Sequence, residues 1–158
     1  MVATLQRWST LTASDLMSQT VVLLPREMSL CAAARLLAQA HVSGAPVVDD
    51  NGCCIGVLSN TDFLHYAERE GRRHGPCHTE AMHAWQIVDE DDSRDERVSD
   101  CMTRDPVTVP PHTSIQRLAR MMIDAHIHRL IVVDKDDHPI GIVSSTDILA
   151  AVAQEVPA

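Results

Sequence analysis

The 158-residue sequence predicts an α/β (α+β) protein made of two β-α-β-β-α units packed with pseudo-twofold symmetry. Three observations lead there: a gapless internal repeat, short β-rich runs that are apolar on both faces, and helical stretches with one-sided apolar spacing. Shifting the chain by 85 residues lays Ser14–Leu64 over Ser99–Leu149, and 19 of the 51 positions are identical. The matches include Ser14/Ser99, Asp15/Asp100, Met17/Met102, Pro25/Pro110, Ser29/Ser114, His41/His126, Ile55-Gly56 over Ile140-Gly141, and Asp62/Asp147. A register held over that length makes the chain two copies of one unit.

Each element follows from local pattern. Val21–Leu24 and Val107–Val109 are short β-rich runs closed by Pro25 and Pro110-Pro111. Ser29 and Ser114 then stand as helix N-caps. Leu30, Ala33, Ala34 and Leu37, and likewise Ile115, Leu118, Ala119 and Met122, recur at i, i+3, i+4, i+7, giving amphipathic helices that end near His41 and His126. At those C-termini a cationic His would complement the helix dipole. Two strands around a turn follow: Ala45–Asp49, Asp50-Asn51-Gly52 and Cys54–Leu58, then Leu130–Asp134, a turn around Asp136–Pro139, and Ile140–Val143. Runs such as Leu130–Val133 are apolar on both faces, as in a sheet covered by helices. A last helix starts after Ser59 and after Ser144. Some fifty residues form too small a core to stand alone, so the copies are expected to pack on each other.

The predicted organisation is an N-terminal extension over 1–13, a first unit over 14–70, an acidic, His-containing linker over 71–98, and a second unit over 99–154. Residues 65–98 hold −4 of the net −9, and Thr79–Trp85 could form a short helix there. His74, Cys77, His78 and His83 are metal-capable donors, but their spacing matches no closed tetrahedral pattern, so they are read as linker and no metal is expected. Cys31, Cys53, Cys54, Cys77 and Cys101 are odd in number and unpaired in spacing, and are read mostly as reduced core residues.

Composition excludes several functions. A net charge of −9 and only four aromatic residues supply neither the basic stripe nor the stacking platform of a nucleic-acid binder. No window reaches eighteen consecutive apolar residues and no secretory leader opens the chain, so a soluble, cytoplasmic protein without membrane contact is expected.

The sharpest chemical signal is a segment of form G-h-h-S-x-T-D, present as Gly56–Asp62 and as Gly141–Asp147. Glycine where a strand meets a helix permits close approach of a ligand or of backbone. Hydroxyls and free N–H groups at a helix start suit phosphate, and a carboxylate accepts two hydrogen bonds from a ribose diol. The same Ser, Thr and Asp could equally serve as helix caps.

Together with Ser14–Met17, Ser99–Met102 and His126–Asp134, these segments resemble a tandem pair of cystathionine β-synthase (CBS) domains, a Bateman module. The resemblance implies a regulatory module that binds adenosine nucleotides (AMP, ADP or ATP, with S-adenosylmethionine as a further candidate), forms a homodimer and acts on a separate, unidentified partner protein. It implies that Asp62 and Asp147 hold ribose, with Ser59, Thr61, Ser144 and Thr146 near ribose and phosphate. Thr20, Val22, Ala45 and Pro46 in copy one, and Asp105, Val107 and Ile131 in copy two, would line the adenine pockets. His128 and Arg129 are the phosphate candidates, whereas the matching Ser43 and Gly44 offer no cation, so unequal affinities are expected. No required cofactor and no catalytic residues are implied. Two other classes compete: a ligand-free structural dimerisation module, and an enzyme or metal protein, for which no nucleophile and base recur beside the duplicated carboxylates.

Overall fold

The computed structural model describes residues 10–74 and 96–153. The possible helix over Thr79–Trp85 and the donors Cys77, His78 and His83 lie outside the described residues. In copy one, β1 (Leu24–Pro25), α2 (Leu30–Gln39), β2 (Gly44–Val48), β3 (Cys54–Ser59) and α3 (Asn60–His74) follow one short helix, α1 (Ala13–Leu16). Copy two repeats the series as α4 (Val98–Cys101), β4 (Thr103–Arg104), β5 (Thr108–Val109), α5 (Ile115–Asp124), β6 (Arg129–Val133), β7 (Pro139–Ser144) and α6 (Ser145–Ala153). The β-α-β-β-α order is therefore present twice. The first strands are shorter than their β-rich runs, since only Leu24–Pro25 and Thr108–Val109 pair.

One sheet has the order β1-β2-β3-β4, the other β5-β6-β7. Strand β1 runs parallel to β2, and β5 parallel to β6, each pair joined through a crossover helix, while β6 and β7 form an antiparallel hairpin. Four consecutive buried residues in β2 and in β6 fit strands covered on both faces.

The chain divides into two compact units that do not coincide with the repeats: 1–21, 50–54 and 106–158 in one, 22–49 and 55–105 in the other. The leading segment of each copy belongs to the unit built around the other copy. Ala13 N–H donates to Thr113 O (2.8 Å), Ser14 N–H to Pro111 O (2.9 Å), Ile115 N–H to Leu11 O (2.9 Å), and Ser18 pairs with Ile142. Shifted by 85 residues, the same bonds reappear as Val98 to Met28 (2.9 Å), Ser99 to Arg26 (3.1 Å), Leu30 to Glu96 (2.8 Å), and β4 pairing with Gly56 and Val57 of β3. Met102 packs directly over Gly56 and Met17 over Gly141, where a Cβ would collide with the thioether chain. The glycines of the G-h-h-S segments thus admit a methionine from the other copy's leader, not a ligand.

The cores follow the same exchange. Val98 joins Leu24, Leu30, Ala33, Leu37, Ala45, Val47 and Leu58; Ala13 joins Val109, Leu118, Met122, Leu130, Val132 and Val143. Under the 85-residue shift Ala33 and Ala45 correspond to Leu118 and Leu130 and Val98 to Ala13, while Phe63 and Tyr66 add bulk to the first core. Volume lost at one position is returned at another, as close packing requires.

Local differences from the sequence expectation have physical causes. Ser29 caps α2 by accepting from Ala32 N–H at 3.2 Å, but Ser114 holds the N-cap place of α5 without a side-chain bond. His41 and His126 follow the C-caps Ala40 and Ala125 with φ 53°, so they end their helices as left-handed residues. Helix α3 runs through Gly71 to His74. Arg69 bridges Glu96 at 2.8 Å and covers the Tyr66 ring, fastening α3 to the residues that lead into α4. Cys31 is exposed and Cys53, Cys54 and Cys101 are half-buried, so none of these four is fully buried, although Cys101 packs against the first core. Burial, with a hydrogen bond to Glu96, pushes the Cys101 thiol up to about 11.

The two hairpin turns meet within one unit. Cys54 N–H donates to Asp137 O (2.9 Å), and His138 lies with Nε2 3.1 Å from Asn51 O and Nδ1 3.3 Å from Asp134 Oδ2. Both partners only accept, so the imidazolium satisfies both contacts and a neutral ring satisfies one. The Asn51 carbonyl, then Asp134, hold the His138 pKa above its ordinary value of 6.5. A raised folded-state pKa means that this contribution to stability is complete below about pH 6.5 and is lost as pH rises through the raised value. NMR titration should place the His138 midpoint above its midpoint in urea; a folded midpoint equal to or below the urea value contradicts the contact.

Candidate functional site

Both G-h-h-S-x-T-D segments end a strand and open a helix, α3 or α6, with Ser at the N-cap and Asp at the third helical position. In copy two, Ser144 N–H and Oγ–H donate to Asp147 Oδ2 at 2.7 and 2.5 Å, while Asp147 N–H donates to Ser144 Oγ at 3.2 Å. In copy one, Ser59 N–H and Oγ–H donate to Asp62 Oδ2 at 2.7 and 2.6 Å. Copy two is a complete capping box and copy one shows its carboxylate half, so helix capping accounts for one oxygen of each carboxylate.

Capping leaves part of the pattern unexplained. Thr61 and Thr146 are exposed, and their side chains make no hydrogen bond among the described residues. Threonine is a mediocre helix former, so neither capping nor propensity asks for it at both places. The second carboxylate oxygens also differ. Asp62 Oδ1 accepts from Thr103 Oγ–H at 2.8 Å and the residue is 8% exposed. Asp147 is half-buried, and its Oδ1 accepts no hydrogen bond among the described residues.

The strand ahead of each hairpin is tied to the helix start. Asn60 N–H donates to Ser43 O at 3.0 Å, and Ser145 N–H to His128 O at 2.9 Å. Arg129 stands opposite Ser144 in the ladder. His128, Arg129, Ser144, Thr146 and Asp147 therefore gather at one end of the β6–β7 hairpin, with His128 and Arg129 exposed. The matching Gly44 is a close-approach position: a Cβ there would lie 2.9 Å from Leu58 O and 3.2 Å from Ser59 Cβ.

The remaining candidates are placed as follows. Ala45, Pro46 and Ile131 are buried in their strands, while Val22 and Val107 are half-buried against the two cores. Thr20 and Asp105 are exposed, and each belongs to the compact unit of the other copy. Asp105 has φ 57°, a left-handed conformation that Asp tolerates. A cavity of about 240 Å³ in the first copy is lined by residues such as Ala34, His41, Asn60 and Phe63, and includes none of the candidates. Thr103 was not among the sequence candidates. Its signal is the hydroxyl after Met17 and Met102, Ser18 and Thr103, which acquires meaning only once the leaders are seen to cross.

Among the described residues, Asp134, Asp136 and His138 bring three metal-capable atoms within 4.8 Å of one another. Asp134 Oδ1 accepts from Asp136 N–H (2.8 Å) and His138 N–H (3.0 Å), and these bonds build the β6–β7 turn. No helix among the described residues is long and apolar enough to cross a membrane.

The duplicated α/β units and their paired helix-start carboxylates define the class. The family model described as CBS domain matches residues 13–69 and 98–154. The chain belongs to the CBS domain family. It is 30% identical over 129 residues to the CBS domain-containing protein CBSX2, chloroplastic, of Arabidopsis thaliana, a match covering 77% of this chain and 54% of that protein. The crystal structure of CBSX2 in complex with AMP superposes with a TM-score of 0.70 at 27% identity, covering 90% of this chain and 96% of that one. The CBS domain of a CBS domain containing membrane protein from Sphaerobacter thermophilus gives 0.72 at 27% identity, with coverages of 94% and 92%.

The two carboxylates carry different structural duties. Asp62→Asn is expected to cost roughly 1–3 kcal/mol, because it disturbs three donors around a buried group. Asp147→Asn should cost about 1 kcal/mol, the size of a cap. Urea denaturation of both variants checks the order, and an equal or reversed loss contradicts it.

Proposed function

We propose that the chain is a regulatory module that binds adenosine nucleotides and transmits occupancy to a separate partner protein. The observation that carries this reading is the recurrence, 85 residues apart, of an exposed threonine hydroxyl with no hydrogen bond among the described residues beside a carboxylate at a helix start. The N-terminus of a helix favours phosphate, and a carboxylate oxygen with spare lone pairs accepts a ribose hydroxyl. The relative crystallised with AMP covers nearly the same span at 27% identity, which supports AMP, ADP or ATP as the ligand class. Arg129 and His128 are the phosphate partners in this reading, and Asp147 the ribose partner. A module of this kind works by binding its ligand more tightly in one conformation or assembly than in another, without chemistry on the nucleotide. Function as a cytoplasmic homodimer is part of the same proposal.

Titration calorimetry with AMP, ADP and ATP tests it, with S-adenosylmethionine as a comparison arm. Binding is expected for at least one adenosine nucleotide, with affinity reduced on the order of tenfold or more in Asp147→Ala, as loss of a charge-assisted pair implies. No binding of any of the four at millimolar concentration, or affinity unchanged in Asp147→Ala, contradicts it.

A further inference from the structure

The two copies share a motif, yet their carboxylates are in different states. In copy one both oxygens of Asp62 are engaged: Oδ2 holds two donors from Ser59, Oδ1 holds the Thr103 hydroxyl, and the residue is buried. In copy two Oδ2 is engaged in the same way, but Oδ1 has no partner among the described residues and Asp147 is half-buried. The equivalent of Thr103 is Ser18, which pairs with Ile142 through its backbone, and its hydroxyl makes no hydrogen bond among the described residues. A ribose hydroxyl needs a carboxylate oxygen with spare lone pairs, so copy two offers at Oδ1 an acceptor that copy one has committed to Thr103.

A second observation points the same way. Arg129 stands opposite Ser144, the N-cap of the helix that carries Asp147, whereas the corresponding Gly44 presses its backbone against Leu58 O. A side chain there meets a carbonyl oxygen at 2.9 Å, so copy one cannot supply a cation at that place without moving β3.

We infer that Thr103 is a specificity-determining residue that closes the first copy to nucleotide by occupying Asp62, so that the chain binds one nucleotide, at the second copy. This rests on the adenosine-nucleotide reading of Asp147. Copy one is then a structural partner whose carboxylate holds the incoming leader in place, and copy two is the sensor. Thr103 acts by competing for the acceptor, so removing only its hydroxyl opens the first copy.

Calorimetry with AMP on the full chain tests this. The wild type is expected to bind one AMP per chain, with that site lost in Asp147→Asn. Thr103→Val keeps the side-chain shape but removes the donor, and should raise the stoichiometry to two by strengthening the first copy on the order of tenfold or more. The gained site should vanish again in the double variant Thr103→Val/Asp62→Asn, and Thr103→Ser, which keeps a donor, should stay at one. Circular dichroism melting identifies any variant that fails to fold, and Thr103→Ala then replaces Thr103→Val. Two equivalent sites in the wild type, or a stoichiometry still at one in folded Thr103→Val or Thr103→Ala, overturns the inference while leaving nucleotide binding intact. No AMP binding by any folded form overturns the inference, and no binding of ADP, ATP or S-adenosylmethionine either overturns the nucleotide reading as well.

Discussion

Met17 seated on Gly141 and Met102 seated on Gly56 are the contacts on which both compact units depend. Each methionine belongs to a leader that adds one residue pairing or a two-residue strand to the sheet edge of the other copy and places one apolar residue, Ala13 or Val98, inside its core. A unit of about fifty residues buries too little surface to be comfortable alone. Here the missing piece comes from the segment preceding the other copy, and the glycine below it can carry no side chain. Because the bonds repeat pair for pair under the 85-residue shift, both units solve the same packing problem by the same device.

That device also sets the state of the candidate site. The hydroxyl that follows Met102 reaches Asp62, whereas the one that follows Met17 makes no hydrogen bond among the described residues. Equivalent leader positions therefore carry a hydroxyl that is bonded to the carboxylate in one copy and not in the other. Buried Asp62 holds three donors, whereas half-buried Asp147 holds two from Ser144 and its Oδ1 accepts no hydrogen bond among the described residues.

Much of this was legible in the amino-acid order. Identity at 85-residue spacing exposed the duplication, and apolar period located α2 and α5 and the strands β2, β3, β6 and β7 to within a residue or two. The capping alternative for Ser59 and Ser144 was legible too, because a Ser three residues before an Asp at a helix start is a capping pattern on its own. The crossing of the leaders was not. Self-similarity gives one register whether Met17 covers Gly56 or Gly141, since the two placements satisfy the same sequence. The β-rich run Val21–Leu24 overpredicted its strand because β propensity describes a fit to a pleated surface, and only Leu24–Pro25 has a neighbour to pair with. Thr103 escaped for the first reason: with the leader assigned to its own copy, it is far in sequence from the carboxylate it serves.

The crossing itself is tested most directly by native-state hydrogen exchange on Met17→Ala. Leu130–Ser144 is expected to lose protection on the order of tenfold, as for truncating a partly buried methionine, while Gly44–Ser59 keeps its protection. Loss of protection confined to Gly44–Ser59 would place the leader on its own copy and contradict the account.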